Sequence, residues 1–434
     1  MVYRLETSAD DFDGVFSEFL NAKRQAASDV GATVSAIIDQ VRAQGDTALV
    51  TLTQRFDRFA LTPESLRISR RECAEAVAGC DPGDVQALHF AHRRILAYHQ
   101  RQMPRDDWFE DADGVGLGHR WTPVDAAGLY VPGGTAAYPS SVLMNATPAR
   151  VAGVDRLVMT VPTPDGTLNP LVLAAAEIAG VDEIYRIGGA QAIAALAYGT
   201  QTIAAVDKIV GPGNAYVAAA KAQVFGQVGI DMIAGPSEVL VIADDRNDPA
   251  WIAADLLAQA EHDTAAQSIL ITDSAGFSAR VEQAVATQLK TLPRAKIAQA
   301  SWHDYGALIV VDTLDAAIPL ANRIAPEHLE IATDNPEKLA AGIRNAGAIF
   351  LGRYTPEAIG DYVGGPNHVL PTSRSARFSS ALGVLDFLKR TSLLKCDASS
   401  LARLSPSALR LARAEGLDAH ARSMAMRLNH QDPI

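Results

Sequence analysis

A regular alternation in the middle of the chain constrains its fold more than any other feature. Short apolar runs rich in β-branched residues alternate there with Ala-rich amphipathic segments, and Gly or Pro separates them. The runs Arg156–Val161, Glu183–Ile187 and Lys208–Val210 predict buried strands, because such runs are typical of parallel sheets covered on both faces. Helical segments over Leu168–Ala179 and Ala190–Tyr198 lie between them. The pattern predicts a βαβαβ unit.

The same alternation continues in a second series further along the chain. It predicts a strand, a helix, a strand, a helix and a strand over Glu238–Ala243, Pro249–Glu261, Ser268–Thr272, Ala275–Leu289 and Ala307–Val311, with further alternation to Leu351. Two such series are typical of the α/β class with parallel sheets. We therefore predict two doubly wound α/β domains.

The two ends of the chain carry a different pattern. Apolar residues recur at helical spacing in Val34–Phe56 and Val85–Arg101, and again in the tail segment Ser405–Asn429. The tail is too small to form a core of its own. We expect it to pack on another part of the protein, such as a second subunit.

The charge balance and the cysteines limit the partners and the compartment. Asp and Glu number 50 against 38 Lys and Arg, a net charge of −12, which repels phosphate backbones and anionic membrane surfaces. We therefore expect no nucleic acid and no membrane surface as partners. A membrane-spanning segment is not expected either, because no apolar run approaches the roughly 20 residues that span a bilayer. The N-terminal residues show no secretion signal. Cys73, Cys80 and Cys396 have no CxxC spacing, which favours the reducing cytoplasm.

Three glycine-containing turns follow predicted strands and precede predicted helices. They are Gly133-Gly134, Gly188-Gly189 and Gly211-Pro212-Gly213-Asn214. Free backbone N–H groups and the helix dipole favour anions at such places, so a ligand that carries phosphate would suit them. None of the turns has the GxGxxG pattern, and glycines that only relieve tight turns explain them equally well.

Side chains that can bind a metal occur in several distant segments. Gln259 and His262 are three residues apart on a predicted helix and therefore share a face. Asp361, His368 and His420 lie downstream, and imidazole and carboxylate groups are typical zinc ligands, whereas an amide is an uncommon one. A capping or solvent-facing histidine also explains the first pair, and sequence spacing alone cannot assemble the site.

Glu327 and His328 place a carboxylate beside an imidazole between a predicted helix and a predicted strand. Adjacent residues of a regular strand face opposite sides of the sheet, so both side chains serve one site only if this junction is irregular. Pro326 favours such an irregularity. A surface acid beside a partly buried histidine is the alternative.

Taken together, the motifs resemble those of the histidinol dehydrogenase family over nearly the whole chain. The segments that carry the resemblance are Gly128-Leu129-Tyr130-Val131-Pro132-Gly133-Gly134, Tyr138-Pro139-Ser140-Ser141-Val142, Gly188-Gly189-Ala190-Gln191-Ala192, Gly211-Pro212-Gly213-Asn214-Ala215, Gly235-Pro236-Ser237-Glu238, Gln259-Ala260-Glu261-His262, Pro326-Glu327-His328-Leu329, Asn367-His368-Val369-Leu370-Pro371 and Leu385-Asp386-Phe387. Long matches in this number and order are highly specific.

The resemblance implies a fold and a domain organisation. It implies two incomplete Rossmann-like domains, similar to those of aldehyde dehydrogenases, with helical N- and C-terminal extensions. We expect a helical arm over residues 1–25, a catalytic and zinc domain over 26–129 and 237–381, an NAD-binding domain over 130–236, and a helical dimerisation tail over 382–434.

The resemblance also implies an activity. The family oxidises L-histidinol through L-histidinal to L-histidine with two NAD, the last step of histidine biosynthesis, in a cytoplasmic homodimer with one zinc per subunit. The implied zinc ligands are Gln259, His262, Asp361 and His420, the last from the partner subunit. The implied substrate contacts are Ser237, Gln259, His262, His328, Asp361, His368, Glu415 and His420. The implied NAD contacts are Tyr130, Gln191 and Asn214.

The chemistry of the reaction suggests roles for the two adjacent catalytic candidates. Removal of the alcohol proton needs a base with a pKa near the working pH, and His328 has the suitable side chain. Oxidation of the aldehyde needs a thiolate or an activated water, and no cysteine lies in the motifs. Glu327 is therefore the expected base for water. Zinc would serve mainly to hold the substrate.

Two other readings stay open at this point. Paralogues of the family oxidise other small alcohols such as sulfonated diols, although the presence of Glu327, His368 and Glu415 favours histidinol. A metal-dependent binding protein with the same fold but no turnover is the second alternative. The release of NADH from histidinol separates the three readings.

Overall fold

The structure is a computed structural model that describes residues 2–22, 30–133 and 138–428. The chain divides into two compact units. The larger unit comprises Met1–Gln102 and Asp125–Phe387, and the smaller unit comprises Met103–Val124 and Leu388–Ile434. The two units are described separately.

The described residues form helices and strands that are numbered here in chain order. The helices are α1 Phe12–Ala22, α2 Gly31–Gln44, α3 Asp46–Phe56, α4 Arg70–Ala78, α5 Pro82–Gln100, α6 Pro139–Ala152, α7 Pro170–Ile178, α8 Gly189–Tyr198, α9 Ala215–Val224, α10 Pro249–Ala260, α11 Ala275–Gln288, α12 Ala295–Tyr305, α13 Ala317–Ile324, α14 Pro336–Ala340, α15 Glu357–Tyr362, α16 Ala398–Ala414 and α17 Asp418–Arg427. The strands are β1 Tyr3–Glu6, β2 Asp107–Glu110, β3 Gly116–Pro123, β4 Ala126–Tyr130, β5 Arg156–Thr160, β6 Glu183–Tyr185, β7 Lys208–Val210, β8 Gly229–Ile230, β9 Glu238–Ala243, β10 Gln267–Thr272, β11 Ala307–Val310, β12 His328–Ala332, β13 Ala348–Leu351 and β14 Leu388–Lys395.

A six-stranded parallel sheet forms one half of the larger unit, in the order β1-β11-β10-β9-β12-β13. Its central strands β9, β10 and β12 are buried along their whole length, as their continuous apolar runs predict. The strand order reverses direction between β9 and β12. In register, Val239 of β9 lies opposite His328 of β12.

A five-stranded parallel sheet forms the other half, in the order β6-β5-β4-β7-β8. Its strand order reverses between β4 and β7, which is the arrangement of a doubly wound α/β sheet. The α/β fold class is confirmed, since both sheets are parallel and helices follow the strands. Each strand of the predicted βαβαβ unit is present.

The N-terminal segment differs from the expected helical arm over residues 1–25. It does contain helix α1, but it begins with strand β1, which pairs with β11 at the edge of the six-stranded sheet. Phe16 and Phe19 of α1 are buried in the core of that sheet. The residues of β1 alternate between apolar Tyr3 and Leu5 and polar Arg4 and Glu6, but an alternation over only four residues is a weak signal of a strand. Its residues Arg4 and Glu6 are exposed.

The helices after this arm also pack differently from the expected assignment of residues 26–129. Val34, Leu49 and Leu66 are buried in one cluster with Ile193 and Leu196 of α8, so this segment covers the five-stranded sheet. Strand β4, which begins at Ala126, belongs to the same sheet. Helical periodicity shows which face of a helix is buried, but not which sheet it packs against.

The smaller unit contains an antiparallel sheet in the order β14-β3-β2 and the helix pair α16 and α17. The expectation of a wholly helical tail over 382–434 was wrong, because Leu388–Lys395 is a strand that pairs with β3 along its whole length. This strand is largely exposed on both faces. It therefore lacks the alternation of apolar and polar residues by which a half-buried strand is recognised.

Among the described residues, no helix combines the length and the apolar character that a membrane span requires.

Candidate active site

The Glu327-His328 pair lies at an irregular junction, as its sequence suggested. Helix α13 ends at Ile324, and Ala325 then adopts a left-handed conformation with φ of 48°. Strand β12 starts only at His328, so Glu327 is outside the regular strand. The carboxylate Oε2 of Glu327 is 3.8 Å from Nδ1 of His328. Both side chains therefore face one site.

Hydrogen bonds of the neighbouring strand β9 orient both side chains. The backbone N–H of Glu238 donates to Oε2 of Glu327 at 2.8 Å. Nδ1 of His328 lies 3.1 Å from the backbone oxygen of Glu238. A carbonyl oxygen only accepts, so Nδ1 carries the proton and Nε2 of the neutral ring holds the lone pair. Nε2 is buried without a hydrogen-bond partner.

Three carboxylates surround the His328 ring. Glu327 and Glu357 lie 3.8 Å from Nδ1, and Asp361 lies 3.7 Å from Nε2. Burial opposes protonation of His328, but these charges outweigh it and raise the pKa of the ring well above its usual value. Burial and the neighbouring acids Asp361 and Glu327 raise the pKa of Glu357 to about 8, although His328 opposes this shift. Both shifts favour the protonated forms of His328 and Glu357, whereas the lowered pKa of Asp361 keeps that carboxylate charged next to the ring.

The candidate zinc ligands Gln259, His262 and Asp361 lie in the larger unit, where Oδ1 of Asp361 is 3.7 Å from Nε2 of His328. Both amide atoms of Gln259 are buried without a hydrogen-bond partner. Desolvation lowers the pKa of His262, and the nearby Asp361 carboxylate opposes that effect. Burial favours the neutral acid at Asp361, yet interaction with His328 outweighs it and lowers the Asp361 pKa. Helix α10 ends at Ala260, so His262 follows it in a turn instead of sharing its last turn.

This donor set fits a cation. A buried amide without partners costs free energy unless something occupies its oxygen. The negative charge around His328 would be offset by a positive ion. Among the described residues, no group of three or more His, Cys, Asp and Glu side chains is placed to hold a metal. Of the predicted zinc ligands in the larger unit, only His262 and Asp361 are histidine, cysteine, aspartate or glutamate. A site completed by His420 of a second chain would therefore not be seen as a group of three within one chain.

His368, an implied substrate contact, joins the two halves of the larger unit. Its Nδ1 lies 2.9 Å from the backbone oxygen of Asp361, and its Nε2 lies 3.2 Å from Oγ of Ser141 on α6. Burial lowers the pKa of His368, which favours the neutral ring. Ser237, another implied contact, is half-buried immediately before β9. Both residues are within the larger unit.

Glu415 and His420 are in the smaller unit. Glu415 caps the C-terminal end of α16, and His420 lies in the first turn of α17. Both residues are exposed. Their predicted roles as substrate contact and zinc ligand stay predictions.

The implied NAD contacts lie at the carboxyl ends of the five-stranded sheet. Tyr130 ends β4, and its buried hydroxyl accepts a hydrogen bond of 3.1 Å from the backbone N–H of Gly189. Burial raises the Tyr130 pKa to about 12. A Cβ at Gly188 would overlap the Pro162 side chain, so the turns are packed closely. Gly134 of the first predicted turn lies outside the described residues.

Asn214 and Gln191 occupy the helices that follow two of these turns. Asn214 caps α9, where its Oδ1 accepts hydrogen bonds from the backbone N–H groups of Tyr216 and Val217 at 3.1 and 3.2 Å. Gln191 is buried in the first turn of α8. The helix N-termini thus follow the strand ends, a geometry that suits a phosphate-bearing ligand.

Two neighbours of the site were not among the sequence predictions. Glu357 is four residues before Asp361 on α15, and Ser141 lies within a motif that carried the family resemblance. An acid one helical turn before a candidate ligand is a detectable signal, and Asp255 repeats it four residues before Gln259. Helix α15 has six residues, too few for periodicity to reveal it.

The chain was compared with protein families, curated relatives and solved structures. The family model described as histidinol dehydrogenase matches residues 20–428. The histidinol dehydrogenase of Bradyrhizobium diazoefficiens is 66% identical over 429 residues, 99% of this chain and 100% of that protein. That of Rhodospirillum rubrum is 65% identical over 430 residues, 99% of both chains. A crystal structure of the enzyme from Elizabethkingia anophelis matches with a TM-score of 0.93 at 36% identity and covers 99% of this chain and 98% of that chain.

Proposed function

We propose, from the premise that the chain belongs to the histidinol dehydrogenase family, that it oxidises L-histidinol to L-histidine with zinc and two NAD. The overall reaction takes up one water and releases two NADH and three protons at neutral pH. The observation that carries the proposal is the buried Nε2 of His328, which has no hydrogen-bond partner and lies 3.7 Å from Oδ1 of Asp361. The Asp361 carboxylate also acts electrostatically on His262, and Gln259, three residues before His262, has both amide atoms buried without a partner. These residues support a base next to a place that holds a substrate-binding cation.

His328 is the proposed base for both oxidations. Its Nδ1–H is held by the backbone oxygen of Glu238, so Nε2 accepts the hydroxyl proton while hydride leaves the same carbon for NAD. In the first oxidation this breaks the O–H and C–H bonds of the alcohol and forms the aldehyde. The carboxyl groups of Glu327 and Asp361 next to the ring stabilise the imidazolium that results.

Glu327 is the proposed base for water. Its Oε2 is fixed by the backbone N–H of Glu238 at 2.8 Å, beside the His328 ring. The carboxylate takes one proton from water while the water oxygen adds to the aldehyde carbon, and the His328 imidazolium returns its proton to the former carbonyl oxygen, which gives a gem-diol and restores the neutral ring. A second hydride then leaves this carbon for the second NAD, and His328 takes the hydroxyl proton. The product is the carboxylic acid.

Gln259, His262 and Asp361 would hold zinc, which when bound supplies positive charge that fixes the imidazole and amine of the substrate. His368 and Ser237 lie near enough in the fold to serve as substrate contacts. The positive charge would also oppose the effect of the carboxylates on the His328 pKa. The support is the chemistry of the donor set and the orphaned Gln259 amide.

The proposed NAD site is the row of turns after β4, β6 and β7. Tyr130, Gln191 and Asn214 are placed there, and backbone N–H groups at the starts of α8 and α9 suit the pyrophosphate. We also propose a cytoplasmic location, which the free thiols of Cys73, Cys80 and Cys396 support.

The proposed assembly is a homodimer in which Glu415 and His420 of one chain complete the site of the other. Their exposure on the smaller unit supports this arrangement. A chain carrying His262→Asn is mixed with one carrying His420→Asn under conditions that exchange subunits. Hybrid dimers would regain one intact site, so activity should recover to about a quarter of wild type under random pairing. No recovery despite proven hybrids would overturn the shared site.

The experiment that tests the function is the amount of NADH formed from limiting histidinol. Two NADH per histidinol with histidine as the product are expected from the zinc-loaded protein. One NADH with release of the aldehyde would contradict the four-electron reaction. Turnover of a sulfonated diol without turnover of histidinol would favour a paralogous activity. Binding of metal without any NADH would favour a binding protein.

A further inference from the structure

A buried ion pair lies directly beneath the turn that follows β7. Lys221 of α9 and Asp231, which follows β8, form a salt bridge in which the side chains are 2% and 1% exposed. Lys221 Nζ also donates to the backbone oxygen of Gly211 at 3.0 Å. Asp231 Oδ2 accepts from the backbone N–H of Gly211 at 2.8 Å. The pair therefore holds both backbone groups of one glycine.

That glycine has a conformation that few other residues adopt. Gly211 has φ of 113°, and a Cβ at this position would overlap the backbone oxygen of Tyr130. The turn thus lies directly against the end of β4. Tyr130 in turn reaches Gly189 through its hydroxyl. The ion pair, Gly211, Tyr130 and Gly189 connect the turns after β4, β6 and β7.

Stability alone is a weak explanation for this pair. Two charges removed from water carry a large desolvation cost, and a well-packed apolar pair of similar volume often stabilises a fold equally well. What an apolar pair cannot do is donate to one backbone group of Gly211 and accept from the other. Helix α9 also begins at this turn, since Asn214 caps it. The turn is fixed at its start by the ion pair and at its end by the helix cap.

We propose that Lys221 and Asp231 are positioning residues for the NAD-binding turn Gly211–Asn214. They hold the backbone of the turn in the shape that receives the cofactor, without touching the cofactor themselves. This inference rests on the proposed NAD site. It predicts that loss of the pair weakens NAD binding much more than it changes the rate of the chemical steps.

The test compares wild type with Lys221→Met and with the double variant Lys221→Met/Asp231→Leu. NAD binding is measured by calorimetry without histidinol, and the exchange of the Gly211 amide hydrogen is measured without NAD. We expect the NAD dissociation constant to rise about tenfold in both variants, since each loses a charged hydrogen bond to the turn. The Gly211 amide should lose its protection in the double variant. At saturating NAD, kcat should change less than twofold.

A matched control comes from the other end of the same sheet. Arg156 pairs with Glu183 at 2.9 Å and also donates to two backbone oxygens, those of Ala204 and Ala205. Arg156→Met should lower thermal stability and leave NAD affinity unchanged. The double variant removes both buried charges, so it keeps a folded protein even if Lys221→Met alone unfolds.

The possible outcomes distinguish the positioning role of Lys221 and Asp231 from the proposed NAD site itself. Unchanged NAD affinity in the folded double variant, with wild type binding NAD, would overturn the positioning role alone. Continued protection of the Gly211 amide in that variant would do the same. Failure of wild type to bind NAD would overturn the proposed NAD site and this inference with it.

Discussion

In the two parallel sheets of the larger unit, the candidate site residues lie at opposite ends of the strands. In the six-stranded sheet the candidate catalytic groups lie at the amino ends, where β9 begins at Glu238 and β12 begins at His328. In the five-stranded sheet the candidate NAD contacts lie at the carboxyl ends, after Tyr130 of β4 and Val210 of β7. Open α/β sheets usually bind ligands at their carboxyl ends. Only the five-stranded sheet follows that rule.

The carboxyl end of the six-stranded sheet is closed by its own side chains at the point where the strand order reverses. Nδ2 of Asn247 donates to the backbone oxygens of Asp244 after β9 and Ala332 of β12, at 2.9 and 2.7 Å. Arg353 donates to both carboxylate oxygens of Asp244 at 2.6 Å and also pairs with Asp334. The side chains of Asn247, Arg353 and Asp244 therefore occupy the strand ends where an open α/β sheet usually binds a ligand.

This contrast means that the strand order of a doubly wound sheet does not by itself determine where the candidate catalytic groups lie. Strand order indicates where a nucleotide fits, because helix N-termini follow the carboxyl ends. It does not indicate where an acid or base is placed. In the six-stranded sheet the candidate base for water, Glu327, lies in the irregular segment before β12. The predictions below test whether the two ends have separate tasks.

The largest effect is expected from His328→Asn, at the amino end of β12. Both oxidations should slow by roughly 10²- to 10⁴-fold, because both need the same base. NAD affinity measured by calorimetry should stay at the wild-type value. His303→Asn, at an exposed site, serves as the control. A large loss of NAD affinity in His328→Asn would break the separation of tasks.

Glu327→Gln is expected to act on one of the two oxidations. The aldehyde step should slow by roughly 10²-fold or more and the alcohol step far less, because only the former consumes water. The amide keeps an oxygen that can accept from the Glu238 N–H, so the fold should be retained. Rates are measured with histidinol and histidinal supplied separately. Equal losses for both substrates would refute the distinct role of Glu327.

Gly211→Ala tests the carboxyl end of β7. Residue 211 has a positive φ, which an alanine rarely adopts, and the added Cβ would overlap the backbone oxygen of Tyr130. We therefore expect backbone strain of about 1–3 kcal/mol and a loss of NAD binding free energy of similar size. Gly226→Ala is the matched control, because Gly226 has φ of 100° and open space around its Cβ position. Histidinol binding should be unchanged in both variants. Equal NAD affinities of the two variants would contradict the claim that NAD binding depends on the backbone conformation of the turn at Gly211.

The smallest effect is expected from Tyr130→Phe. This change removes one neutral hydrogen bond, that to the Gly189 N–H, so the KM for NAD should rise about three- to tenfold with little change in kcat. The control is Tyr185→Phe, which removes bonds to Glu183 and Thr202. That variant should lose stability only. A shift of histidinol KM in Tyr130→Phe would contradict the assignment of this end to NAD.

Sequence patterns predicted those parts of the fold whose apolar periodicity is strong. Strands β5, β6, β7, β9, β10 and β11 and helices α7, α8, α10 and α11 were predicted within a few residues of their observed ends, whereas strand β8 and helices α9 and α12 were not predicted. Strand β14 was missed because its residues are mostly exposed. The pairing of residues 31–66 with the five-stranded sheet was missed because periodicity carries no information on the packing partner.

The candidate site was predictable where a local irregularity left a trace in the sequence. Pro326 indicated that Glu327 and His328 could face one site, and the left-handed Ala325 explains how they do. Glu357 left one signal, its spacing of four residues before Asp361, but the six residues of α15 are too few to show helical periodicity. The positions of the motifs relative to predicted strands indicated the strand ends, because the glycine turns follow strands and the Glu327-His328 pair precedes one. Which strands are neighbours depends on strand order, and no motif encodes that order.

The most direct test of the opposite-ends account is a crystal structure with zinc, histidinol and NAD bound together. The account predicts histidinol at the amino ends of β9 and β12, within hydrogen-bond distance of His328 Nε2. It predicts the NAD pyrophosphate at the turns after β4 and β7, with its nicotinamide directed toward histidinol. Density for either ligand beside Asn247 and Arg353, at the carboxyl end of the six-stranded sheet, would contradict the account.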